Sequence, residues 1–323
     1  MTGTIFSYTS LLPLLALSSV FATLGNSTPI MKRANVPTSK AGYNRVWYEN
    51  WGHKDGITHN WVFNLGTSYP GQVAQWGTGE IQTYTNKAEN IKIVNKILWI
   101  TPKKKTDSKG KVTWTSGRLE GTRANKWACA DGKKMVVEAS IKLGSAGEAQ
   151  QKGIWPAFWM LGDDFRTRGY KGWPEIGEID IMESVNGKRQ TWGLIHCGMY
   201  DGQIPIRGPC NEPDGKGGYV KGIGRGLWHT YGIEIDRTSK NWKNETITWI
   251  INGVRHHSIT GSQINNASAW NYLAHQKMFI LLDVAVGGGF PNGVEGGLTP
   301  YSTTIDGDSV GMQVDWVAVW QST

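Results

Sequence analysis

Three carboxylic acids stand within six residues in Glu178-Ile-Asp180-Ile-Met-Glu183, interleaved with Ile179, Ile181 and Met182. The Ile content and the period-two alternation from Glu178 to Ile181 predict a strand. Glu178 and Asp180 then share one face, and Ile179 and Ile181 the other. Glu183 falls out of step. Five residues after Glu178, a regular strand would turn it into the core, where a lone carboxylate is costly. One extra residue taken up at Ile181-Met182, as a β-bulge, returns Glu183 to the face of the other two acids. Paired carboxyl groups flanking one bond are the apparatus of glycoside hydrolysis. A merely solvated strand face would not set mutually repelling acids so close together.

The stretch resembles the active-site signature of glycoside hydrolase family 16 in its bulged, laminarinase-like form; the unbulged form lacks the Met. Two further segments resemble the same family: Trp76-Gly-Thr-Gly-Glu80-Ile-Gln82-Thr-Tyr84-Thr-Asn86 and Gly153-Ile-Trp155-Pro-Ala-Phe-Trp159-Met-Leu161. The likeness runs from about Arg45 to Trp320. It departs at Ile235, where relatives are usually aromatic, and at Phe290, where they often carry Trp.

The resemblance implies an all-β, jelly-roll β-sandwich of two curved antiparallel sheets (concanavalin A-like) with a concave substrate cleft. Pattern alone gives only a sandwich or barrel. The resemblance also implies a retaining enzyme, with Glu178 as nucleophile, Glu183 as acid/base and Asp180 hydrogen-bonding and tuning Glu178. Trp173, Trp155 and Trp159 are candidate sugar-stacking rings, with core packing the alternative for the last two. Asn86 is a candidate sugar hydrogen-bonder. His196, on the strand expected beside the acids, could reach and tune them. The activity implied is that of an endo-β-1,3(4)-glucanase acting on laminarin-type β-glucan. A β-glucan transglycosylase of the same family is the first alternative, and a non-catalytic, lectin-like glucan binder the second. The intact acid set argues against the lectin, because binding alone needs no acid/base pair. Many relatives bind calcium, and Asp315 sits at the matching C-terminal strand; one side chain does not define a hard-cation site. No organic cofactor is implied.

The elements that must position these residues are strands. The chain has 323 residues, Gly 42 and Trp 17, with only 19% charged, and helical periodicity is scarce. The net charge of +8 is scattered, densest at Lys103-Lys104-Lys105, which argues against a nucleic-acid partner. Strands are expected at Arg45–Trp51, Lys134–Leu143, Gly153–Leu161, Thr191–Cys197, Trp228–Asp236, Thr246–Gly253, Met278–Gly288 and Met312–Trp320. A hairpin is expected between Ile91–Thr101 and Lys111–Thr115, turning at Asp107-Ser-Lys-Gly110. Asp163 to Lys171 reads as a charged loop above the cleft, and Asp201 to Gly226 as a long Gly/Pro-rich loop walling it.

Residues 1–22 resemble a secretory signal peptide, although no Lys or Arg precedes the apolar run, and Lys32-Arg33 would end a candidate pro-peptide over 23–33. Residues 34–323 then form a single domain, expected to be secreted, extracellular and monomeric. No lipid-anchor tail follows Trp320. Secretion predicts oxidised cysteines. Cys197 and Cys210 flank the Gly/Pro-rich loop and are the expected pair. Cys129 is then free or intermolecular, or it displaces one of them. Sequons occur at Asn26, Asn244 and Asn266.

Overall fold

The computed structural model describes residues 35–199 and 208–323. The segments expected to be a signal peptide (1–22) and a pro-peptide (23–33), with the Asn26 sequon, lie outside the described residues. In chain order the strands are β1 (Tyr43–Glu49), β2 (Trp61–Phe63), β3 (Gln82–Tyr84), β4 (Ile91–Val94), β5 (Ile97–Ile100), β6 (Lys103–Thr106), β7 (Val112–Ser116), β8 (Arg118–Gly121) and β9 (Lys134–Leu143). They continue as β10 (Ile154–Gly162), β11 (Glu178–Glu183), β12 (Gln190–His196), β13 (Lys216–Lys221), β14 (Trp228–Asp236), β15 (Thr246–Ile251), β16 (Val254–Thr260), β17 (Met278–Val286) and β18 (Met312–Ser322).

Two antiparallel sheets make a jelly-roll sandwich. One runs β16-β15-β14-β9-β18-β5-β4, with β1 also on β18; the other runs β13-β12-β11-β10-β17-β8-β2. The main core lies between them. β9 contributes Met135, Val137, Ala139, Ile141 and Leu143 by strict alternation. β17 is buried throughout because both of its faces are covered. Ile280, Leu282 and Val284 enter the main core, while Phe279 and Leu281 join Tyr69, Leu161, Phe165 and Ile176 in a second cluster on the outer face. That second cluster, with Trp76, Tyr170 and Trp173 packed on it, builds a wall beside the acids.

Three expectations are corrected, and one further sheet is added to the sandwich. The single hairpin is two, β4–β5 turning at Asn95-Lys96 and β6–β7 turning at Asp107–Gly110. β6 and β7 belong to a third, three-stranded sheet in which β3 pairs with β7 in parallel, so pairing is not wholly antiparallel. The Gly/Pro-rich loop contains β13, whose glycines hide the strand pattern and whose pairing with β12 supplies the order. The charged loop holds a short helix, Asp164–Thr167, whose buried Arg166 pairs with Glu120 at 3.0 Å, a structural role.

Cys197 and Cys210 form the disulfide, and Cys129 is free and buried, its thiol pushed up to about 12 by burial. Asn244 and Asn266 are exposed, and Asn266 caps a short helix through Ala269 N.

Candidate active site

β11 carries the expected bulge. Against β10, Phe158 pairs with Met182 and Trp159 with Asp180, leaving Ile181 as the extra residue. Against β12, Asp180 faces Leu194 and Glu183 faces Trp192, three steps opposite two. Ile179, Ile181 and Met182 enter the core, while Glu178, Asp180 and Glu183 line the outer face. A bulge disrupts the ladder locally and frees backbone groups. The Asp180 carbonyl accepts a hydrogen bond of 2.8 Å from Trp249 Nε1 on β15, reaching through the core from the opposite sheet. Gly193 makes room for that indole: a Cβ there would lie 2.2 Å from the ring.

The register across the sheet sets one row of side chains. Tyr219, Trp192, Glu183, Ala157, Asp283 and Arg118 stand successively opposite one another from β13 to β8. Aromatic rings occupy one end and polar groups the other. At the aromatic end Phe290 packs on Trp155 and Trp192, with ring centroids 5.5 and 5.3 Å apart. At the polar end Arg118 bonds Asn64 Oδ1 at 3.3 Å and lies 4.3 Å over Trp76 and 4.8 Å over Trp159.

The three candidate stacking tryptophans are all half-buried, and each donates its indole N–H to a carboxylate. Trp173 bonds Glu178 at 3.2 Å, Trp155 bonds Glu183 at 2.9 Å, and Trp159 bonds Asp283 at 2.8 Å. Trp159 also has a ring face under the Arg118 guanidinium, so its first role here is to fix the polar end. Asn86 is exposed beyond the end of β3. Its segment reaches the cleft wall instead through Tyr84, which bonds Asp283 at 3.0 Å, and through Glu80 and Gln82 behind it.

His196 closes the site from β12, directly opposite Glu178. Its Nε2 lies 3.5 Å from Asp180 Oδ2 and 3.9 Å from Glu178 Oε1. Asp180, expected to hydrogen-bond Glu178, turns Oδ2 toward His196 instead. On its other side the imidazole of His196 places Nδ1 2.7 Å from Glu212 Oε2.

Burial pushes both Glu178 and Glu183 up to about 7, against the pull of the His196 charge. Burial, followed by the charges of Glu178 and Glu183, holds Asp180 well above the usual carboxylate range. Burial alone would lower His196, but the bond to Glu212 and the neighbouring acids raise it to about 9. Buried acids raised toward neutrality beside a cation are placed for acid/base work.

Glu178, Asp180 and His196 also place one ligand-type atom each within 4.8 Å of the others. The bond to Glu212 and the neighbouring acids favour the protonated imidazole, which is not the form that ligates a metal. Asp315 lies on β18, a central strand, as its bulged residue between Val314 and Trp316. It lines a surface cavity with Asn35, Thr38, Asn50, Arg45 and Lys96. One carboxylate beside two cations is a poor fit to a calcium ion.

A β-sandwich with buried acids and indoles across one sheet face is the outline of a carbohydrate-active protein. Residues 147–202, which include all three acids, match the family model described as XgeA-like, catalytic GH16 domain. An endo-1,3-β-glucanase from Streptomyces sioyaensis has a solved structure similar to this one. It is 36% identical, with a TM-score of 0.78, covering 90% of this chain and 100% of that one. Among curated relatives, glucan endo-1,3-beta-glucosidase A1 of Niallia circulans is 29% identical over 87% of this chain. The clotting factor G alpha subunit of Tachypleus tridentatus is 27% identical over 85%. The chain spans little more than a third of those two relatives, 38% and 34% of their lengths. The chain belongs to glycoside hydrolase family 16.

Asn64, Arg118, Asp283, Trp192, Tyr219 and Glu212 all frame the site, and sequence reasoning passed over them. Each is brought to the site through cross-strand register or loop closure, which no local pattern announces. The one available signal was position: Trp192 lies on the strand expected beside the acids, four residues before His196.

Proposed function

We propose that this chain is a secreted, retaining endo-β-1,3-glucanase that cleaves laminarin-type β-glucan through a covalent glycosyl-enzyme. The observation that carries the reading is the bulge. It returns Glu183 to the face of Glu178 and sets both, each near pH 7 in its titration, beside indole N–H donors. The similar Streptomyces and Niallia proteins bear endo-1,3-glucan-cleaving names, which points to the linkage. A disulfide and the N-terminal apolar run favour export.

In this reading the Glu178 carboxylate attacks the anomeric carbon while Glu183 gives its proton to the departing glycosidic oxygen. The C–O bond to the leaving sugar breaks as the ester to Glu178 forms. Glu183, now ionised, takes a proton from water, whose oxygen displaces Glu178 and restores both groups with net retention. The row from Arg118 to Tyr219 crosses six strands, roughly 24 Å at sheet spacing, with Glu183 near its middle. A polymer lying along it is cut internally.

The aromatic end, Trp155, Phe290, Trp192 and Tyr219, also favours a second reading. It lies on the Glu183 side, where the leaving sugar departs and an acceptor would dock, so transglycosylation competes with water. A time course on laminarin and on mixed-linkage β-glucan, with early anomers read by proton NMR, tests both. Early β-anomer oligosaccharides from laminarin are expected. Early α-anomers would refute retention, and absence of cleavage would refute the glucanase. Products longer than the substrate would shift the assignment to transglycosylation.

A further inference from the structure

His196 is held from three sides. Its Nδ1 meets Glu212 Oε2 at 2.7 Å, and the other oxygen of Glu212 accepts the Cys197 N–H at 2.9 Å. Glu212 is wholly buried. The disulfide fixes the frame, since Cys197 follows His196 and Cys210 stands two residues before Glu212. Gly215, at φ +75°, lets the backbone press on the far side of the ring: a Cβ there would come within 2.8 Å of Cε1 and 2.9 Å of Nε2. The charged or titratable groups facing the imidazole are Glu178, Asp180 and Glu183 from β11 and Glu212 from the turn just after Cys210. The Trp173 ring, 5.5 Å away, is neutral.

We infer that Glu212 is a positioning residue of the reaction: it holds His196 as an imidazolium with Nε2 set 3.5 Å from Asp180 Oδ2 and 3.9 Å from Glu178 Oε1. The cation then offsets the repulsion that would keep three adjacent buried acids protonated, and it lets Glu178 ionise as the nucleophile. Glu212 touches neither substrate nor the reacting atoms. Its own charge opposes ionisation of Glu178, but it stands behind the imidazole, while Nε2 is in front and closer, so the imidazolium dominates.

The isosteric Glu212→Gln keeps an oxygen for Nδ1–H and removes the charge. The His196 imidazole, followed by long-range 1H–15N spectra of 15N-His-labelled full chain, is expected to stay protonated in the wild type toward about pH 9. In Glu212→Gln its midpoint is expected to fall by two pH units or more. The acid limb of kcat/KM on laminarin should rise by about one pH unit, a roughly tenfold loss below it, with KM little changed. Glu212→Asp, too short to reach both Nδ1 and Cys197 N–H, should not rescue the profile.

A wild-type His196 midpoint below pH 7 overturns the inference even if the variant fails to fold. So does a folded Glu212→Gln with lower melting temperature but unchanged imidazole midpoint and pH profile, which would mark a structural role. The rate arm rests on the glucanase reading. The imidazole titration needs no substrate, so failure of that reading leaves it interpretable.

Discussion

Glu178 and Glu183 are chemically identical side chains, and only their surroundings divide the labour. The His196 charge pulls both toward the ionised form and each accepts one indole N–H, Glu178 from Trp173 and Glu183 from Trp155, but only Glu178 stands directly opposite His196, 3.9 Å from its Nε2. Glu178→Gln is expected to lower kcat by about 10⁴-fold or more and Glu183→Gln by about 10²–10⁴-fold, with the fold intact. Asp180→Asn should leave a reduced rate. Full turnover in either Glu variant, measured on laminarin, would remove the assignment. Because burial raises both acids to about 7, the maximum of kcat/KM should fall near neutrality rather than in the usual carboxylate range. The acids and their face were legible because their spacing is local: Glu183 being one step out of phase was enough to require the bulge. Glu212 and Asp283 were not, because nothing near them in the chain marks a carboxylate that long-range pairing will bring to the site.

Strands decide which of these side chains meet. His196 could be foreseen because β12 follows β11 directly, and Arg118 could not, because β8 arrives beside β17 from far along the chain. The Trp249 indole is the element-scale support of the bulge. Trp249→Phe leaves the Asp180 carbonyl without that donor, a cost of about 1–3 kcal/mol for a buried acceptor. Gly193→Ala should displace the same ring. Both variants should lower kcat as well as the melting temperature, because the backbone they disturb is that of the acids. Loss of stability with kcat unchanged would separate the bulge from the chemistry. Reducing Cys197–Cys210, a 13-residue separation, should cost roughly 3 kcal/mol and loosen Glu212.

The whole molecule carries the cost of burying its acids. Glu178 and Glu183 titrate higher folded than unfolded, so their contribution to stability is fully present below pH 4.5 and is lost as pH rises to about 7. His196 is also raised, so its contribution is present below pH 6.5 and is lost on the way to about 9. The melting temperature should therefore fall between pH 5 and 9. Glu183→Gln, neutral throughout, should flatten the first part of that fall and exceed the wild type at pH 8 while matching it near pH 4. A wild-type melting curve that rises through this window would contradict the burial argument. At this scale the two main sheets were legible from alternation and resemblance. The third sheet was not, since a parallel pair such as β3–β7 leaves no hairpin signature in the chain.

The indole that crosses the sandwich makes the reaction centre a reporter on the far wall. Fraying of β15, at the second position from the edge of its sheet, withdraws Trp249 from the catalytic backbone before the seven-stranded sheet itself comes apart. Turnover should fade on heating ahead of the calorimetric transition, and it should return on cooling. Ligands or crowding that clamp the outer sheet would then extend the working temperature without touching the cleft.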